Sequence, residues 1–199
     1  MRARFLLVGT LVGTLVMFIW QTISNAALPW HMMTMRQFAN DSATAHAIRA
    51  AAPQNGMYWS ARGVLAAVAI TPDFADKTAA AALGPMMARQ VVIDLVVTLA
   101  LALLVLRLPA ENKMTTATAC ALAAVAVGGV MQFSDWNWYG FGGAYALVNV
   151  VDQAISFFLV GLTLAAIRQR FGEPTVRTAE RPGVRAQGAF PPSQSGTRV

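Results

Sequence analysis

Charge is scarce in this 199-residue chain: Asp, Glu, Lys and Arg together make up 12% of it, against about 25% in soluble domains. With 56% apolar residues, the chain cannot cover a water-facing surface in the usual way. Cysteine is rarer still. Cys120 is the single thiol, so no disulfide forms within the chain, and the paired-cysteine chemistry of membrane disulfide oxidoreductases is excluded. The two histidines, His31 and His46, both lie outside the long apolar runs, which excludes a haem held by two histidines inside a bundle. HExxH, GxSxG and P-loop motifs are missing. So is the GxGD context of intramembrane aspartyl proteases, since Asp94 reads VVIDL and Asp152 reads NVVDQ. No cofactor and no metal set is expected; His31 in LPWHMM has too few potential ligands around it.

Long apolar runs are what the chain does have. A helix crossing a bilayer needs about 20 mostly apolar residues, and four stretches qualify: 5–24, 87–106, 115–132 and 142–167. None alternates as a barrel strand would. The expected fold class is an all-α membrane protein, a four-transmembrane-helix bundle. The first run has the basic start of a signal peptide, and SNA follows it, but its apolar core exceeds the ~7–15 residues of such segments. It is expected to be retained as a span, with Trp20 at the interface.

Formal charge is +6 and the isoelectric point about 10.4, yet the basic residues follow the membrane rather than a nucleic acid. With the N-terminus inside, Arg2, Arg4, Arg107, Lys113, Arg168 and Arg170 flank the inner ends of the spans. SDWNWYGF, residues 134–141, holds no Lys or Arg. This asymmetry predicts both termini on the cytoplasmic side of a bacterial inner membrane. All five tryptophans and all three tyrosines then fall on the outer side, where amphipathic rings favour the headgroup level. SDWNWYGF reads as an interfacial turn.

Residues 25–84 are expected to form a small extracytoplasmic α/β lid between the first two spans. MMTMRQFANDSATAHAIRAAAP reads as helix, with Asn40, Asp41 or Ser42 as a cap, and MYWS and VLAAVAI as a hairpin bent at Gly63. Asp73 is a further possible cap. LPAENK is short enough to make the second and third spans antiparallel neighbours. Residues 171–199, rich in Pro, Gly, Ser and Arg, read as a disordered basic tail suited to anionic lipid headgroups.

Polar residues inside the spans are the candidate site. Asn149, Asp152, Gln153 and Ser156 share one helix face at i, i+3, i+4 and i+7. Gln90, Asp94 and Thr98 share another, with Gln132 and Gln21 near the outer ends of their spans. The inner halves offer only threonine hydroxyls, so a dead-end cavity is expected rather than a pore. Amide side chains often serve as helix glue, worth about 0.6 kcal/mol per contact on average. Carboxyls demand more: each must be protonated, paired or hydrated. Gln90, Asp94, Gln132, Asn149, Asp152 and Gln153 are therefore the candidate ligand-binding or polar-network residues. Asp152 is expected to lie deepest, partnered by Gln132 or Gln90, with Arg89 able to pair from the end of the second span. Gly9 and Gly13 form a GxxxG that permits close helix contact and a homodimer.

LPWH after the first span, AAPQNGMY in the loop and WNWYGF before an Asp-bearing last span carry a resemblance. From the first span to the fourth, the chain resembles a group of small bacterial four-span integral membrane proteins. The resemblance brings no activity with it. Claudin-like and tetraspanin-like proteins share the layout, but their outer-loop cysteines are missing here.

The function expected is non-enzymatic: binding of a protein partner or a small or lipid-like molecule in an outward-facing polar cluster, with the bilayer as solvent. The alternative is a proton-linked small-molecule transporter using Asp94 and Asp152. Topology is open to direct test. Cysteines substituted at Ser134 and Ser193 are expected to label from opposite sides of intact cells, and an impermeant reagent that labels both from outside refutes the assignment.

Overall fold

The structure is a computed structural model in which residues 2–69, 79–109 and 112–171 are described. The expected cap at Asp73 and all but the first residue of the tail lie outside them. Helix α1 covers Arg2–Ala26, α2 Trp30–Met33 and α3 Asp41–Ala51; strands β1 and β2 cover Gly56–Ser60 and Val64–Val68. Helices α4, Ala79–Val105, α5, Lys113–Tyr139, and α6, Gly143–Arg170, complete the order. Among the described residues, α1, α4, α5 and α6 are long and apolar enough to cross a membrane, and they fit a multi-pass membrane protein. Their outward faces agree with that. Leu11, Val96 and Leu122 are 54%, 61% and 63% exposed, a surface that lipid solvates and water does not.

The four long helices run alternately up and down, but they do not close into a symmetric bundle. α6 packs along α1 on one side and along α5 on the other, and α4 lies mainly against α1. α4 and α5 make at most marginal contact, contrary to the neighbour relation expected from their short connection. The reason lies in the small residues of α6 and its partners. A methyl group placed at Gly161 would come within 2.8 Å of Ala117 Cα and 3.1 Å of Cys120 Sγ, so α5 reaches α6 at backbone distance. The third long helix is thereby drawn to the fourth rather than to the second.

Gly9 and Gly13 do the same work inside the chain. A methyl at Gly9 would stand 3.0 Å from Leu164 Cδ2, and one at Gly13 would stand 3.4 Å from Val160 Cγ1 and clash with Thr98. This face of α1 is filled by α4 and α6, so the homodimer contact expected there is replaced by an intramolecular one. Below the glycines, Phe5, Leu101, Ala102, Val105, Val160 and Leu164 form the buried apolar core. Arg168 closes that end by donating from Nη1 to the carbonyls of Val105 and Leu108, at 2.6 and 2.8 Å. Those carbonyls belong to the C-terminal end of α4, where a cation is favoured.

At the opposite end α5 continues to Tyr139, so most of SDWNWYGF is helix rather than turn. Gly140 stops it with φ 73°, a left-handed conformation that favours glycine, and donates to Asp135 O. Trp138 remains 76% exposed on this last turn, where an interfacial ring would stand.

The region expected to be a lid is only partly attached. Asn40 caps α3 by accepting from Ala43 N, and β1 pairs antiparallel with β2 from Gly56↔Val68 to Ser60↔Val64 around Gly63, φ 79°. Yet α3 has no buried residue, and neither it nor the hairpin packs substantially on the long helices. A segment of this size lacks the apolar area for a core of its own. Only α2 seats on α6.

The glycine contacts give a paired prediction. Gly161→Ala is expected to lower the thermal midpoint in detergent, by the ~1–3 kcal/mol typical of overpacking. Gly129→Ala, where an added methyl meets nothing within 4 Å, is expected to be neutral or to stabilise α5 by up to about 1 kcal/mol. Equal effects of the two would show that α5 and α6 are not in backbone contact.

Candidate functional site

One large cavity, of about 830 Å³, opens between α1, α4 and α6 at the hairpin end of the molecule. It arises because α4 and α6 are held together near Arg168 but diverge above Gly13, Thr98 and Val160. The six candidate residues all line it. Gln90 and Asp94 enter from α4, Gln132 from α5, and Asn149, Asp152 and Gln153 from α6. Ser156 of α6 and Gln21 of α1 join them, while Thr98 lies fully buried below. Met17, Phe18, Met87, Ile93, Val97 and Phe157 supply apolar wall.

Two polar groupings face this space. In the first, Gln90 Nε2 donates to Asp94 Oδ1 at 2.8 Å and to Gln21 Oε1 at 3.1 Å. Asp94 is 1% exposed, and its Oδ2 has no hydrogen-bond partner among the described residues. Ser156 Oγ, also buried, has none either. Arg89 does not supply the missing charge, because its Nε turns back to Pro85 O at 3.3 Å.

The second grouping gathers on Asp152. Trp20 Nε1 donates to Asp152 Oδ1 at 2.7 Å, and His31 Nε2 lies 3.2 Å from Oδ2. A carboxylate only accepts, so the imidazole nitrogen carries the hydrogen, and a protonated ring makes the contact an ion pair. The partners expected for Asp152, Gln132 or Gln90, are thus replaced by an indole and an imidazole. Nor is Asp152 the more deeply enclosed acid: its side chain is 14% exposed, whereas Asp94 is sealed. The expected order of depth is reversed: Thr98 and Val160 stand at one level against Gly13, and Asp94 lies one helical turn above that level while Asp152 lies about two.

LPWH explains how His31 gets there. α1 ends at Ala26, with Ala27 and Leu28 both donating to Ile23 O, and Pro29 begins the reversal. Trp30 and His31 then fold back on α1: Trp30 Nε1 donates to Ser24 O at 3.2 Å and Oγ at 3.1 Å, and His31 Nε2 lies 3.2 Å from Ser24 Oγ. The two rings meet edge to face at 5.6 Å. The sequence places Trp20 at the interface and gives His31 no ligand set, so neither is expected to meet Asp152. A signal existed. Gly9, Gly13, Met17, Trp20 and Ser24 repeat at the spacing of one helix face, and that face is the packed one.

Ser24, His31 and Asp152 invite comparison with a hydrolytic triad, but the geometry opposes it. A triad engages both imidazole nitrogens, whereas Ser24 Oγ and Asp152 Oδ2 both meet Nε2, and Ser24 is 0% exposed. Among the described residues, no three His, Cys, Asp or Glu side chains converge on a point that could hold a metal.

Gln132 and Gln153 sit beside the cavity in a different way. A methyl at Gly128 would collide with Gln153 Oε1, so the missing side chain of Gly128 makes room for that amide. Asn149 turns its amide to the carbonyl of Tyr145 on its own helix, at 2.8 Å. Compared with protein-family models, curated proteins and solved structures, the chain matches none.

The clasp on Asp152 can be tested by stability. Asp152→Asn keeps an acceptor for Trp20 and is expected to cost less than Asp152→Leu, which strands both donors. Trp20→Phe is expected to cost about 1.5–3 kcal/mol, the range for hydrogen bonds to charged groups. A double-mutant cycle of Trp20→Phe with Asp152→Leu, read from unfolding in detergent, should show strong non-additivity. Simple addition would show that the two side chains do not interact.

Proposed function

We propose that this is a non-catalytic binding protein of the bacterial cytoplasmic membrane, with both termini inside, that takes up an amphiphile from the outer side. The observation that carries the reading is the cavity itself. Its volume, about 830 Å³, falls within the ~300–1,000 Å³ of small-molecule pockets. Apolar walls from Met17, Met87 and Phe157 stand beside amides and carboxyls, which suits a molecule with one polar end and one apolar end. The packed core of Phe5, Leu101, Val105 and Leu164 beneath supports a dead end and disfavours the proton-linked transporter, since a conduit needs polar lining in both halves. Membership of the group of small bacterial four-span proteins, and attraction of the basic tail to anionic headgroups, are proposals of the same standing.

Filling the cavity tests the reading. Asn149 lines it and bonds only to its own helix, so Asn149→Trp is expected to occupy the space without breaking a contact between helices. Native mass spectrometry of protein extracted from its own membrane is expected to find a bound small molecule on the wild type and to lose it in Asn149→Trp. A wild type without any bound molecule, or adducts equal in the two proteins, overturns the proposal.

A further inference from the structure

Resting on that reading, we infer that the polar end of the ligand is a primary ammonium group, received by Asp94 and Ser156. The two acids of the cavity differ in what they still lack. Asp152 already accepts from Trp20 and His31, one donor on each oxygen. Among the described residues Asp94 accepts from Gln90 through Oδ1, with the Gln21 amide beside its carboxyl. Its Oδ2 is a buried carboxylate oxygen with no donor, and on the facing helix Ser156 Oγ is a buried hydroxyl with no partner. Both side chains line the same cavity. Leaving such groups unmatched is costly in a low-dielectric setting, so they define what a ligand has to bring.

Charge decides the sign. Among the described residues that line the cavity there are two carboxyls and neither Lys nor Arg. His31 is the basic side chain on that lining and it is taken up by Asp152, so beside Asp94 an anionic head would meet a like charge, and a neutral hydroxyl would bring no compensating charge. Size narrows the class further. Asp94 is 1% exposed and its Oδ2 is covered, so a group that reaches it has to be compact and has to displace the side chains over it. A primary ammonium is compact and carries three donors. A guanidinium is a broad plane, and a trimethylammonium carries no N–H at all. The apolar wall above the acid then receives the chain attached to the amine.

The ammonium could come from a free alkylamine or from an ethanolamine lipid headgroup. In the second case the neighbouring phosphate would find His31 as the basic side chain on the described lining, and that ring is already held by Asp152.

Head groups on one chain length test the inference. Decylammonium, decanol, decanoate and decyltrimethylammonium are titrated separately into the full-length protein in neutral maltoside micelles, with tryptophan fluorescence and thermal shift as readouts. Decylammonium is expected to bind at least tenfold more tightly than the other three. Asp94→Asn is expected to remove that preference, and Asp135→Asn, a carboxyl on α5 outside the cavity, to retain it. Equal affinity of the wild type for decylammonium and decanol overturns the ammonium assignment while leaving the amphiphile reading standing, and it does so even where Asp94→Asn fails to fold. Binding of none of the four overturns both. Displacement of decylammonium by phosphatidylethanolamine doped into the micelles assigns the headgroup as source; lack of displacement assigns a free amine, and either result supports the ammonium site.

Discussion

A carboxylate placed between helices in hydrocarbon has to find donors, and Asp152 finds them on two segments remote in sequence. Trp20 comes from α1 and His31 from the reversal that follows it, so one side chain ties α6 to α1 and to α2. The rest of the hairpin end depends on this tie. Ser24 is satisfied by Trp30 and His31 only because Pro29 turns the chain back. Among the described residues of the loop, α2 is the part with a firm seat on the long helices. Without an acceptor at residue 152, an indole and an imidazole would be left unmatched at the border of the membrane, at a cost of the same order as a whole helix contact.

The other end of the molecule is held by the opposite device. There small residues remove side chains altogether, letting α1 meet α6 at Gly9 and α5 meet α6 at Gly161. Van der Waals packing between backbones drives association where lipid tails are as apolar as leucine. Arg168 then uses its donors on the carbonyls of Val105 and Leu108 where α4 ends, so that end is tight, with Thr10 Oγ1 the buried hydroxyl it leaves unmatched. One end is close-packed and dry, the other held apart and clasped at a few polar points. The cavity is what lies between these two regimes.

How much of this was legible in the sequence follows from the same physics. The four spans and the polar stripes were readable because period and hydropathy are local properties: Asn149, Asp152, Gln153 and Ser156 do face one space. The bend at Gly63 was readable for the same reason, and so was a cap among Asn40, Asp41 and Ser42, although the helix expected from Met32 onward is interrupted between Met33 and Asp41. Which helix neighbours which was not. It is decided by where small residues coincide on two helices, as Ala117 and Gly161 do, and no single segment states that. The partners of Asp152 were hidden by a true generality, that Trp and His near a membrane border favour the interface. Trp20 obeys it in depth and departs from it in direction, pointing its N–H inward.

Asp94 and Asp152 look alike in the sequence, each a lone acid on a polar helix face, and their difference is a matter of donors. Asp152 has a donor on each oxygen and therefore reads as structure, even though it is the more accessible of the two. Asp94 is sealed and half matched, and a half-matched acid stores an unfavourable energy that a suitable ligand would relieve. Burial alone thus ranks the two acids by depth, while the inventory of hydrogen bonds ranks them by what each can still accept. On that inventory the open acceptor of the cavity lies on α4, while Ser156 on α6 holds an unpartnered hydroxyl.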